Sequence, residues 1–390
     1  MSGQRRARPR PPRDLPRPPF EQIALLLQGG GALGSYQAGV YEALAEAGLH
    51  PDWVAGISIG AVNSAIIAGN SPDKRVERLR AFWEMVSEPP LGIPFLGALE
   101  GDGVNARTFA NQLRALGVLL GGAPGFFAPR LPPPFLLPPG SPGAASFYDT
   151  TPLRATLLDL VDFDRLNDGG TRLSVGAVNV RSGNFVYFDT ATRRVGPEHI
   201  IASGSLPPGF PAQEIDGEHY WDGGLVSNTP LEWVLGYRPR RDTLAFQVDL
   251  WSARGELPGD LAASEVRQKE IRFSSRTRDG TDDFKRAQQL RRAVSRLLRQ
   301  LPEELRHSPE AELLRPEACE KVFNIVQLIY RAHEYEGISK DYEFSRRTME
   351  EHWQAGYRDC ARSLCHPGIM ERPEGADGVF TFDIAEHGGK

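Results

Sequence analysis

The chain is 390 residues long, enough for two domains or for one large domain with an appendage. A formal net charge of −5, with 45 basic against 50 acidic residues, leaves no global footprint for nucleic acid. No apolar run is long enough to cross a bilayer, and Cys319, Cys360 and Cys365 lie late and in no metal-like spacing, which argues against zinc and disulfides alike.

Residues 1–19 are rich in Arg and Pro and lack the apolar core of a signal peptide, so they read as a disordered basic tail. Residues 23–27, Ile-Ala-Leu-Leu-Leu, form a continuous apolar run, the pattern of a strand buried on both faces of a parallel sheet. Gly29, Gly30, Gly31 and Gly34 follow at once. Tyr36, Val40, Leu44 and Ala47 then recur at helical spacing over residues 35–47, and Gly48 stands where a helix end favours a left-handed residue. Strand, glycine loop and helix make an anion-binding unit, because first-turn N–H groups are unpaired and the helix dipole is positive there.

The pattern repeats. Trp53-Val54-Ala55 reads as a second strand, Gly56-Ile57-Ser58-Ile59-Gly60 as a tight turn, and residues 61–68 as a helix stopped by Gly69-Asn70. Gly56 and Gly60 permit the strained turn that lifts a serine hydroxyl clear of a sheet. Alone, the pentapeptide reads equally well as a helix N-cap. With the glycine loop one strand–helix unit upstream, Ser58 reads as a nucleophile.

Residues 89–150 are dense in Gly and Pro, with Phe126, Phe127, Phe135 and Leu136 prominent. They read as an insertion that is either a lid bordering an acyl pocket or a structural cover. A strand is expected over residues 173–180, and Asp216-Gly217 reads as a hairpin turn ahead of the alternating run 218–221. Asp222, followed by Gly223 and Gly224, then falls on a loop between regular elements, and Thr229-Pro230 opens a helix as N-cap and first residue. By itself Asp222 would be a turn aspartate; with Ser58 upstream it reads as the general base. Residues 243–249 form a further strand. From about residue 253 the character changes to charged helices. Asp282-Asp283 caps one that carries Phe284, Leu290, Val294 and Leu297 opposite a row of arginines, a face that either packs on the protein or lies on anionic membrane. Residues 342–364 form another, with Phe344, Met349, Trp353 and Tyr357 as packing residues.

Taken together, the glycine loop, the Gly-x-Ser-x-Gly turn and the late Asp-Gly-Gly supply an anion-stabilising loop, a nucleophile and a base, the parts of a serine acyl hydrolase. All three resemble the motifs of the patatin-like phospholipases, over about residues 23–249. The small-residue and proline stretch at residues 202–211 resembles that family too. The resemblance implies a serine–aspartate dyad of Ser58 and Asp222, with Gly29, Gly30, Gly31 and Gly34 forming the oxyanion loop and Gly56, Gly60, Gly223 and Gly224 supporting the motifs. Leu33 stands where the family commonly carries a basic residue, and Gln28 precedes the glycines, so one positive charge near the substrate is missing. The C-terminal part resembles the helical extension of a bacterial subgroup of the family.

The expected fold is a three-layer α/β/α sandwich on a mainly parallel sheet, with the site at the carboxyl ends of its strands. Residues 20–252 form the acyl hydrolase domain, with the insertion at 89–150, and residues 253–390 the helical extension. The expected substrate is a lipid or phospholipid ester; no metal, organic cofactor or nucleic acid is called for, protein partners are unspecified, and the location is cytoplasmic with contact at a membrane surface left open. Rival readings exist. Residues 29–34 also satisfy the dinucleotide fingerprint, with Asp52 about twenty residues on, although Asp52 precedes the second strand instead of ending it. A Ser-Asp-His triad would need His333, His352 or His366, none of which has a distinguishing context. In a non-enzymatic reading the chain is a membrane-surface module with an inactive hydrolase core.

Overall fold

The structure is a computed structural model that describes residues 10–13, 15–89, 104–141, 143–274, 277–375 and 378–383. In chain order the strands are β1 (Gln22–Leu27), β2 (Trp53–Ile57), β3 (Ala128–Pro129), β4 (Tyr148–Asp149), β5 (Arg172–Asn179), β6 (Phe185–Asp189), β7 (Gln213–Ile215), β8 (Glu218–Asp222), β9 (Thr243–Asp249), β10 (Phe323–Ile329) and β11 (Val379–Phe382). The first seven helices are α1 (Ser35–Glu46), α2 (Ile59–Ala68), α3 (Arg75–Val86), α4 (Val104–Gly121), α5 (Thr151–Leu160), α6 (Phe163–Asp168) and α7 (Pro197–Ser203). The remaining five are α8 (Leu231–Gly236), α9 (Leu261–Ser274), α10 (Thr277–Gln300), α11 (Pro309–Leu314) and α12 (Arg346–Leu364).

Nine strands make one sheet in the order β11-β10-β9-β1-β2-β5-β8-β7, with β6 paired to β5. From β11 to β5 every pairing is parallel, and β6, β7 and β8 add an antiparallel end. Strand β1 runs through the middle and shows why its sequence is unbroken hydrocarbon. Ile23, Leu25 and Leu27 point to one face, where they join a core with Tyr36 and Val40 of α1, Ile66 of α2 and Trp353 of α12. Ala24 and Leu26 point to the other, where Leu231 and Leu235 of α8 and Phe284 of α10 cover them. A strand buried on both faces has no polar alternation to show. The expected layered sandwich on a mainly parallel sheet is the one observed.

Several local expectations need correction. Part of the segment read as a disordered tail is tied down: the Leu15 amide donates to the Ala47 carbonyl at 3.1 Å, and Arg17 pairs with Asp52 at 2.6 Å. The C-terminal part is more than helices, because β10 and β11 extend the same sheet beside β9. Its signal was present in the largely apolar residues 322–330, interrupted by Asn324 and Gln327 and masked by the charged helices around it. Helix α8 begins at Leu231, with Pro230 at its N-cap in place of Thr229. Asp282 and Asp283 lie about a turn inside α10 instead of capping it. Helix α12 begins at Arg346, because the Ser345 side chain caps it by accepting from the Thr348 amide, and this leaves Phe344 outside the helix. Asp222 is the last residue of β8 and not a loop residue.

The C-terminal region is locked onto the first helix by backbone contact. A Cβ added at Gly39 of α1 would land on the Trp353 carbonyl of α12, and one added at Gly356 of α12 would land on the Tyr36 carbonyl of α1. Two glycines facing each other across the crossing let the helices approach this closely. We therefore expect Gly39→Ala and Gly356→Ala each to destabilise the protein by about 1–3 kcal/mol through overpacking, with a lower thermal unfolding midpoint. Gly170→Ala, where an added Cβ meets nothing, is the control and should leave the midpoint unchanged.

Candidate active site

Strand β5 brings the two candidate reacting groups together. One of its edges is taken by β6 over Ser174 to Val178. The other edge pairs β2 up to Gly176 opposite Ile57, and then pairs β8 from Ala177 opposite Asp222. Strands β2 and β8 thus meet end to end along one edge, and Ser58, the residue after Ile57, is forced beside Asp222. The segment after α7 straps this seam. The Ser58 amide donates to the Ser203 carbonyl at 3.1 Å and to Ser203 Oγ at 3.0 Å, while Ser203 Oγ donates to the Gly176 carbonyl at 2.7 Å. The Asp222 amide donates to the Ser205 carbonyl at 3.0 Å.

Ser58 occupies the strained turn its neighbours imply. Its φ of 56° and ψ of −124° lie in a region that side chains rarely adopt, and only Asp216 shares a positive φ among the described non-glycine residues. Gly56 and Gly60 serve close approach here: a Cβ at Gly56 would strike the Gly60 carbonyl, and one at Gly60 the Leu27 carbonyl at the end of β1. The Ser58 side chain makes no capping bond to α2. It lines the same cavity as the Asp222 carboxyl.

Asp222 is 3% exposed. Burial lifts its carboxyl from the ordinary value of 3.8 to about 7, against the bonds from the Ser58 hydroxyl and the Gly224 amide that favour the charged form. The Gly224 amide bond, at 2.7 Å, holds one carboxyl oxygen at the start of a short 3₁₀ turn. Gly223 allows the backbone to pass close to the Gly176 carbonyl.

The glycine loop runs along the other side of Ser58. A Cβ at Gly29 would come within 2.9 Å of the Ser58 Cβ, so only glycine lets the loop lie this close. The Gly29 amide is occupied, donating to Asn228 Oδ1 at 3.2 Å, while Asn228 Nδ2 returns a bond to the Gly29 carbonyl at 3.1 Å. Gly34 is not part of this surface. It lies where Ile59 and Trp83 crowd the backbone, and its carbonyl accepts from Asn63 at 2.9 Å. That leaves the amides of Gly30 and Gly31, which have no protein partner among the described residues. Gln28 does not face this space with a charge substitute; its side-chain oxygen accepts from the amides of Leu250 and Trp251 at 2.7 and 3.0 Å, and Leu33 is fully buried.

A cavity of about 190 Å³ joins these parts. Ser58, Asp222 and Gly29 to Gly31 form its polar end, and Val118, Phe126, Phe127, Phe210 and Phe344 are among its apolar walls. Residues 89–150 were expected to border such a pocket, and their described part divides. Phe126 and Phe127 pack edge-to-face in the wall, whereas Phe135 and Leu136 are 77% and 67% exposed on a turn away from it. Residues 90–103 of that insertion lie outside the described residues.

None of the histidines considered for a triad lines the cavity. His333 stacks on Tyr335, His352 is buried 3.2 Å from Glu336, and His366 lies against Phe382. Asp52 accepts from the Ile23 amide at the opposite end of β1 from the glycines, so it cannot meet a ribose bound at that loop. Residues that the sequence reading did not single out include Asn228, Ser203, Trp251 and Asp341. Asn228 had the best signal, standing shortly after Asp-Gly-Gly; the others are brought in by the fold.

The raised carboxyl has a stability consequence. Between about pH 4 and pH 7 the unfolded chain ionises Asp222 while the folded one keeps it protonated, so this group's contribution to stability falls across that window and stays low above it. Asp222→Asn should therefore raise the thermal midpoint at about pH 8 and change it little near pH 4; equal midpoints for both proteins at about pH 8 would contradict the burial penalty.

A sequence profile for "Patatin-like phospholipase" matches residues 25–235, more than half of the chain, and a second described as "Patatin phospholipase" matches residues 271–376. No curated protein matches. Among solved structures, the crystal structure of VipD from Legionella pneumophila matches at 14% identity and a TM-score of 0.40, covering 99% of this chain and 77% of that one. The extent of the first match is decisive: the chain belongs to the patatin-like phospholipase family, a family of lipid acyl hydrolases.

Proposed function

We propose that the protein hydrolyses carboxylic esters of lipids through a dyad of Ser58 and Asp222, with the amides of Gly30 and Gly31 as the oxyanion donors. The observation that carries this reading is that Ser58, on its strained turn, lines one cavity with a buried Asp222 and with Gly30 and Gly31, whose amides lack partners among the described residues. Asp222 takes the Ser58 proton as Oγ attacks the acyl carbonyl carbon, and the resulting oxyanion is held by the two loop amides. Collapse expels the alcohol, which leaves with the proton from Asp222, and an acyl-Ser58 ester remains. Asp222 then deprotonates a water that attacks this ester. The tetrahedral species collapses, Ser58 regains its proton and the fatty acid departs. Among the described residues no histidine lines the cavity, which favours the dyad over a triad. Gly29 and Gly34 act in this scheme as shape-giving residues, since the first amide is bound to Asn228 and the second glycine packs against α2 and α3. In this reading residues 20–252 supply the reacting groups, and the region beyond adds cavity wall through Tyr342 and Phe344.

The test is labelling with a fluorophosphonate followed by peptide mapping. Ser58 should carry the label, Ser58→Ala should lose labelling and turnover of a short aryl ester together without a change in thermal midpoint, and His333→Ala, His352→Ala and His366→Ala should keep turnover within a few-fold. Because the base must be ionised, kcat/KM should rise with pH through a midpoint near 7. Label on another serine, or a histidine variant that loses several orders of magnitude, would overturn the dyad.

The same reading assigns a peripheral lipid contact to the apolar rim. At about 190 Å³ the cavity is smaller than a usual ligand pocket and takes the reacting end of an acyl chain. Leu119 both lines the cavity and is 41% exposed, and Leu116 and Leu120 flank it on α4 with further exposed apolar surface. Replacing Leu116 and Leu120 with serine should reduce turnover of long-chain lipid in vesicles at least tenfold, on the order of the apolar burial lost, and spare a short water-soluble ester. Parallel loss of both activities would mean that these residues only hold the fold.

A further inference from the structure

The two partner-free amides hang between two pins, and one of them belongs to the C-terminal region. On one side the Gly29 carbonyl accepts from Trp251 Nε1 at 2.9 Å, in addition to the Asn228 bond. On the other, the Ala32 amide donates to the Asp341 carbonyl at 2.8 Å. Gly31 adopts φ +56°, and a Cβ there would land on that same carbonyl. The loop is therefore seated against Asp341 by shape as well as by a hydrogen bond.

What holds Asp341 is a crossed set of charges with helix α9. Lys269 Nζ donates to both carboxyl oxygens of Asp341, at 2.9 and 3.0 Å, and to the Ile338 carbonyl at 3.3 Å. The neighbouring residues pair with the signs exchanged: Lys340 Nζ donates to Glu270 Oε1 at 2.7 Å. Lys-Glu on the helix facing Lys-Asp on the segment accepts one register, because a slip by one residue sets like charges together. The Lys340 ammonium also lies 5.1 Å from the ring centroid of Trp251, the residue that forms the first pin. One charge cluster thus sets both ends of the loop, and Tyr342 and Phe344, just beyond it, reach the cavity that holds Ser58.

We propose that Lys269 and Asp341 are positioning residues that fix the direction of the Gly30 and Gly31 amides, so that the C-terminal region is a working part of the hydrolytic site. This rests on the reading of those amides as oxyanion donors. The Lys269–Asp341 pair is a third to a quarter exposed, and such a pair adds little to global stability. Its effect should fall on the transition state: donors that wander lose charge stabilisation without changing ground-state binding.

The experiment uses the full chain and the variants Lys269→Met, Asp341→Asn and Lys269→Arg. With a short aryl ester, the first two should lower kcat about tenfold with KM unchanged and slow fluorophosphonate labelling of Ser58 in parallel, while Lys269→Arg stays close to wild type. Hydrogen exchange of the peptide spanning residues 28–35 should speed up several-fold in Lys269→Met and Asp341→Asn, with thermal midpoints unchanged. Wild-type kcat together with unchanged exchange would overturn the proposal. So would a loss of activity that tracks a fallen midpoint and is not restored in Lys269→Arg. The exchange measurement needs no turnover, so wild-type protein that fails to label at Ser58 would sink the hydrolase reading while the exchange result still decides the pin.

Discussion

The site depends on one edge of strand β5. Because β6 holds the opposite edge, β2 and β8 must share the remaining one, and they divide it between Gly176 and Ala177. The proposed site follows from that junction. The chain leaving β2 turns at Ser58, the chain finishing β8 ends at Asp222, and neither can move without breaking a ladder at the centre of the molecule. Ser203 and Ser205, at the end of α7, satisfy the backbone amides that the junction would otherwise leave open.

A buried carboxylate is an expensive feature, and the surroundings of Asp222 are arranged to keep the expense useful. Desolvation raises its proton affinity, which is what the proposed role of a base without an imidazole requires. Hydrogen bonding pulls the other way, but no basic side chain adds to it, so burial dominates. The strained φ of Ser58 belongs to the same arrangement: the turn that costs backbone energy leaves the hydroxyl without a capping bond to the first turn of α2. The surrounding glycines are needed mostly because backbone passes within contact distance of backbone, at Gly56, Gly60 and Gly223.

The C-terminal region is woven into this core. Strand β10 lengthens the sheet beside β9, α12 crosses α1 through paired glycines, and Asp341 meets the glycine loop. Neighbouring segments of that region therefore contribute to the sheet, to the helical layer and to the wall of the cavity. Buried residues of both stretches, such as Val54 and Ile66 from the first and Trp353 and Ile369 from the second, share one core cluster, so the separate profile matches at residues 25–235 and 271–376 pack together.

Local features were readable from residues alone. The unbroken run of β1, the glycine loop and the Ser58 turn each leave their mark in a few consecutive residues, so periodicity and turn chemistry identify them. Boundaries were harder: Thr229, Asp282 and Tyr342 each looked like a helix start, but Pro230 and Ser345 hold the N-caps of α8 and α12, and Asp282 lies inside α10. The partners of the loop could not be read at all. Asn228 is 199 residues from Gly29, and Asp341 is brought to Ala32 only by the packing of α9 and α12. The histidines show the same limit, since nothing in their neighbours along the chain says that His352 faces Glu336 and not Ser58. Motif and period settled which residues could act, because those properties are local; which of them meet, and which are stripped of water, was decided by the crossing of distant segments, because desolvation and close approach exist only once the sheet has closed around them.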